Sequence, residues 1–158
     1  MSVRWPRIPF YLSILFVLLL DQLTKAWAVA AFKFPGDTVP LIPGFFSLTF
    51  VQNRGIAFGM FAGQGLLVGL VVIALGLVAI YYSRGINWAG WEPNLAGGAL
   101  CGGALGNLID RARQSYVIDF FDVHIRAWNL YWPVFNIADS FICIAVAWIV
   151  YRQLFEKK

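Results

Sequence analysis

Apolar residues gather in long blocks in this chain, at about 9–31, 63–82, 95–109 and 134–154, with two regions of mixed polarity between them. A helix that crosses a bilayer needs about 20 mostly apolar residues, so the four blocks predict four spans. No charged residue stands between Arg54 and Arg84, which no soluble core demands. The intervening regions carry a different period. Phe46, Leu48 and Phe50 alternate with Ser47 and Thr49, a strand pattern, and Pro35-Gly36 and Pro43-Gly44 mark turns ahead of it. Tyr116 to Ile125 is again rich in β-branched and aromatic residues and ends before Trp132-Pro133. With four spans, both termini share one side, and connections 32–62 and 110–133 share the other. Their strands can then pair into a small sheet resting on the bilayer, where Phe and Trp are at home. The expected fold is a single membrane domain over residues 1–158, all-α with four transmembrane helices and a small extracytoplasmic β-sheet.

Composition agrees. The 158 residues are 60% hydrophobic and 13% charged, with a mean hydropathy of +0.72, as in integral membrane proteins. The net charge of +4 is spread over single cations, which favours lipid headgroups over nucleic acid. Lys and Arg do not decide orientation. Arg4, Arg7, Arg84, Arg152, Lys157 and Lys158 lie on the terminal side and Lys25, Lys33, Arg54, Arg111, Arg113 and Arg126 on the other, six against six. The second set is interleaved with Asp21, Asp37, Asp110, Asp119 and Asp122, which tilts the balance towards cytoplasmic termini. The start of the chain also has a second reading as a cleavable signal ending at Ala26-Trp27-Ala28, which would leave three spans. Cys101 and Cys143, far apart and outside any C-x-x-C, read as buried free thiols.

Ionisable groups near bilayer depth cost about 2.5 to 3.5 kcal/mol each on insertion scales, so those that persist call for a use. Asn107, Asp110 and Arg111 at the end of the third block share a helix face, and Asn136, Asp139 and Ser140 repeat the spacing where the fourth begins. Gly98, Gly102 and Gly106 recur every four residues, with Gly97 and Gly103 beside them, so the third helix can be approached closely and can hold its polar end in place. Asp119 lies in the connection between these two helices and is free to reach Asp139. Two carboxylates that close share one proton and titrate as a unit. Such a pair can take a proton from water with one member while the other polarises a carbonyl and then protonates a leaving amine, without metal or cofactor. Taken alone, two aspartates are better explained by a helix-dipole partner and a solvated loop residue.

Five ordered blocks add to that reading: Asp21-Gln22-Leu23-Thr24-Lys25, Gln52-Asn53-Arg54-Gly55-Ile56-Ala57-Phe58-Gly59, Gly106-Asn107-Leu108-Ile109-Asp110-Arg111, Val117-Ile118-Asp119-Phe120 and Phe135-Asn136-Ile137-Ala138-Asp139-Ser140. Together they resemble the bacterial lipoprotein signal peptidases (signal peptidase II) over nearly the whole chain. The resemblance implies a four-span aspartic endopeptidase that removes signal peptides from diacylglyceryl-modified prolipoproteins, cutting just before the lipidated cysteine. It implies the bacterial cytoplasmic (inner) membrane, both termini cytoplasmic, and an active site near the outer face. Asp119 and Asp139 match the catalytic pair, and Asn53, Asn107, Arg111 and Asn136 match residues that hold substrate or orient the carboxylates. Asp21 and Lys25, an i, i+4 pair, and Asp110 are expected as structural support. The partners are lipidated prolipoproteins and membrane lipids, and a monomer is expected. Two acyl chains, at about 0.8 kcal/mol per buried methylene, would fix the cleavage point at one membrane depth.

Ile56 stands where the family usually has a smaller residue, and Gly55 and Gly59 are candidate hinges for a closing connection. Asp122 and His124 belong to none of the blocks. With Asp119 they could ligate a metal, but a single His without H-E-x-x-H reads better as an interfacial histidine. Two other classes fit an apolar chain with intramembrane acids: a small transporter or proton-coupled channel, for which the sequence offers no internal repeat, and a non-enzymatic assembly subunit.

Overall fold

The computed structural model describes residues 7–55, 90–125 and 130–155. The predicted span at 63–82, and with it Ile56 and Gly59, lies outside the described residues. Helix α1 (Ile8–Ala31) opens with Pro9 in its first turn, where a missing N–H is harmless, and stops where Phe32 turns extended. The chain then forms strands β1 (Thr38–Ile42) and β2 (Phe46–Asn53). Helix α2 (Trp91–Gln114), strand β3 (Val117–Ile125), the two-residue strand β4 (Leu130–Tyr131) and helix α3 (Ile137–Phe155) follow the undescribed stretch. Among the described residues, α1 and α3 are long and apolar enough to cross a membrane. Helix α2 outruns the predicted block 95–109 at both ends, because its first and last turns are helical but polar.

The glycines of α2 decide how the helices meet. A Cβ on Gly98 would collide with the Phe10 carbonyl, and one on Gly102 would come within 2.9 Å of the Ile14 carbonyl, so this face lies directly on α1. Gly103 faces the other way, with its would-be Cβ 2.7 Å from the Ala138 carbonyl of α3. The glycine stripe is thus the packing surface that its spacing predicts.

All strand pairings are antiparallel, in the order β1-β2-β3-β4. The predicted strands at 46–50 and 116–125 are the central pair, with a bulge in β2 between Leu48 and Val51. The turns at Gly36 (φ 98°) and Gly44 (φ 79°) use the left-handed region, which glycine enters without strain. Beneath the sheet, Ala28 and Phe32 from the end of α1 meet Phe50, Ile118 and Phe120. The Phe32 and Phe50 rings stack 6.2 Å apart. The first half of β3 is buried, so it carries this apolar cluster on one side and Asp119 on the other. Cys101 and Cys143 are free thiols but exposed on the protein surface, which corrects the expectation of burial.

Candidate active site

Three helices and the sheet converge on a layer of polar side chains. Asn136 is its hub. It precedes α3 and caps it: its Oδ1 accepts the N–H of Asp139 at 3.0 Å, and the Asp139 carboxylate reaches back to the N–H of Asn136 at 3.2 Å. This reciprocal arrangement is a capping box with Asp in the place of the usual Glu, and it fixes the rotamer of Asp139 by local geometry. The Asn136 Nδ2 group, buried with no exposure, donates to Asp119 Oδ1 at 2.7 Å and more distantly to Asn107 Oδ1 and the Ile118 carbonyl. One residue therefore bonds to both carboxylates.

Asp119 is 1% exposed, and its second oxygen accepts from Asn53 Nδ2 at 2.8 Å. Burial away from water and the charge of Asp139 push its carboxyl up to about 7, against the pull of the Asn53 and Asn136 hydrogen bonds and the positive Lys25. Asp139 is only half-buried, and its Oδ1 accepts from Asn107 Nδ2 at 2.8 Å. The layer thus holds one closed carboxyl that resists ionisation and one more open, amide-bonded carboxyl in the first turn of a helix.

Beside this pair lies a second acidic group. Lys25 Nζ sits 2.9 Å from both Asp21 Oδ2 and Asp110 Oδ2, all three residues being buried. Asp110, which must find its partner away from adjacent Arg111, finds it on α1. The Asp21–Lys25 pair does not stand alone: Lys25 also donates to Asn107 Oδ1 at 2.9 Å, which carries its influence into the neighbouring pair. Gly106 makes room, since a Cβ there would collide with the Asp21 carboxylate. Arg111 donates to the Gly55 carbonyl at 3.1 Å, tying the end of β2 to α2, and it lies in the field of Asp119, Asp139 and Asp110.

All nine residues singled out from the sequence belong to this layer. Gln22 was missed. Its Nε2 lies within 3.1 to 3.3 Å of Asp110 Oδ1, Asp21 Oδ2 and the Gly106 carbonyl, so it laces α1 to α2. A third polar residue beside Asp21 and Lys25 in an otherwise apolar helix was the signal available. Asp122 and His124 lie elsewhere. Strand alternation turns them away from Asp119; Asp122 accepts from Thr49 at 2.7 Å, and His124 stacks on Tyr131.

The comparisons with known proteins point one way. Residues 13–155 match the family model described as signal peptidase (SPase) II. The lipoprotein signal peptidase of Thermodesulfovibrio yellowstonii is 42% identical over 90% of this chain and 92% of its own length. That of Halothermothrix orenii is 41% identical, over 89% and 91%. That of Syntrophus aciditrophicus, at 38%, covers 99% and 98%. A solved bacterial membrane enzyme structure superposes with a TM-score of 0.80 at 29% identity, covering 100% of this chain and 98% of that one.

Proposed function

The chain belongs to the signal peptidase II family, a family of bacterial membrane enzymes, and from that premise we propose that it is an aspartic endopeptidase whose catalytic pair is Asp119 and Asp139. It removes signal peptides from diacylglyceryl-modified prolipoproteins, cutting just before the lipidated cysteine. The observation that carries this reading is that Asn136 bonds to both carboxylates, its side-chain amide to Asp119 and its backbone N–H to Asp139, with Asp119 pushed up to about 7.

Asp139, the more open member, takes a proton from a water molecule as that water attacks the scissile carbonyl. Asp119, still protonated, donates to the carbonyl oxygen and stabilises the charge that builds there. The tetrahedral adduct collapses when the leaving amine receives a proton from the pair, which returns to its singly protonated state. The step balances with water alone and calls for no metal or cofactor. Asn53, Asn107 and Asn136 keep the carboxyls aimed, and Arg111 holds the chain at Gly55.

The same reading places the enzyme in the cytoplasmic membrane as one four-span domain over residues 1–158. Both termini are cytoplasmic, the sheet rests on the outer face, and the acid pair sits where acyl chains give way to headgroups. It works as a monomer, with the lipid tails of the substrate left among membrane lipids. The purified protein, given a lipidated precursor and its unlipidated form, should cleave the first and spare the second. Equal turnover of both would end the selection by depth, and parental cleavage by Asp139→Asn would end the catalytic assignment.

A further inference from the structure

An ammonium group has three N–H bonds, and Lys25 directs one each to Asp21, Asp110 and Asn107, all at 2.9 Å. It has no acceptor to offer. The Asn107 oxygen must therefore face Lys25, which leaves the Asn107 NH2 group pointing at Asp139 Oδ1, 2.8 Å away. The flipped amide would set NH2 against ammonium and oxygen against carboxylate, two repulsions in place of two bonds.

The two aspartates held by Lys25 have a further duty. Asp110 Oδ2 accepts the backbone N–H of Ile118 at 3.1 Å, and Asp21 Oδ1 accepts that of Ala138 at 3.0 Å. Ile118 and Ala138 immediately precede Asp119 and Asp139. One cation thus anchors, through its two anions, the backbone just before each member of the acid pair. The charged groups around it are Asp21 on α1, Asp110 and Arg111 on α2, Asp119 on β3 and Asp139 on α3.

We propose that Lys25 is the positioning residue of the peptidase: it sets the separation of Asp119 and Asp139 through Asp110 and Asp21, and it dictates which face of Asn107 meets Asp139. This rests on the reading of Asp119 and Asp139 as the catalytic pair. Replacing Lys25 alone strands two buried carboxylates and endangers folding. The informative variant is therefore Lys25→Met with Asp110→Asn, which keeps the charge of the cluster and leaves an oxygen for the Ile118 N–H, read against Asp110→Asn alone.

Full-length parent and variants, solubilised in detergent and checked for folding by thermal unfolding, are assayed on the lipidated precursor across pH. Asp110→Asn should move the kcat profile to lower pH, because Lys25 is then less neutralised. Adding Lys25→Met should reverse that shift, carry the profile to higher pH, and lower kcat about 10- to 100-fold at unchanged KM, the cost of a misplaced reacting group. If the double variant fails to fold, the shift in Asp110→Asn decides by itself. Profiles that coincide with the parent's, whatever happens to stability, would overturn the positioning role while leaving the peptidase intact. Loss of the underlying reading looks different: Asp119→Asn and Asp139→Asn would then cleave like the parent.

Discussion

Two pairs of aspartates occupy the same polar layer and differ in one respect. Between Asp21 and Asp110 stands the Lys25 ammonium, 2.9 Å from each. Between Asp119 and Asp139 stand only the amides of Asn136 and Asn107, which carry no charge. A cation between them gives the first pair a shared counter-charge, and that pair becomes scaffold. Without one, the second pair meets the repulsion of like charges in a poorly solvated site, and on the proposed reading a proton takes the place of the cation. Burial does not by itself make an aspartate reactive here, since Asp21 is as closed as Asp119. What separates them is the counter-ion.

The sharpest way to break this contrast is to remove a member of the second pair. Asp119→Asn or Asp139→Asn should lower kcat on a lipidated precursor roughly 100- to 10,000-fold, the usual contribution of an acid or base, while the protein still inserts and unfolds cooperatively. Next in size is Gly106→Ala, whose methyl group enters the space of the Asp21 carboxylate. It should cost about 1 to 3 kcal/mol by thermal unfolding, as overpacking does, and it strikes the scaffold pair first.

Asp119 should also make stability follow pH. The Asp119 carboxyl is raised from its ordinary 3.8 to about 7 in the folded protein, so the folded form holds an extra proton between those values. Stability from this group is present below that window and is lost as pH rises through it. Asp119→Asn should therefore gain on the parent in unfolding free energy from pH 5 to pH 8, by no more than about 2 or 3 kcal/mol. A constant difference would contradict the raised carboxyl. The smallest effect concerns the link between the pairs. Ser115, the turn from α2 into β3, has φ 63°, a conformation that costs a non-glycine residue about 1 kcal/mol. Ser115→Gly should raise the melting temperature slightly without changing cleavage.

The sequence disclosed features whose cause is local. The capping box could be read in Asn136 and Asp139, three residues apart ahead of an apolar run, and the close helix packing in the four-residue glycine period. Strand β2 follows from alternation and β3 from its β-branched and aromatic residues. Strand β1 escaped notice because it is an exposed edge strand with Pro40 inside it, so no buried face marks it, and β4 has only two residues. In the site, the nine residue types were legible but not their wiring. Lys25 pairs with Asp21 one helical turn away, which spacing foretells, whereas Asp110 and Asn107 reach it only through helix packing. The backbone groups of Ile118 and Ala138 leave no mark in the sequence, since every residue but proline offers the same N–H.

The proposed sharing of one proton by Asp119 and Asp139 can be tested directly by following carbon-13-labelled aspartate carboxyls through a pH titration of the detergent-solubilised protein, with Asp119→Asn used to assign its signal. In the parent, Asp119 should lose its proton near pH 7, and in Asp139→Asn that midpoint should fall towards the ordinary carboxylate range. An Asp119 already ionised at about pH 5 in the parent, or one whose midpoint ignores the loss of Asp139, would show that the two carboxyls do not share a proton.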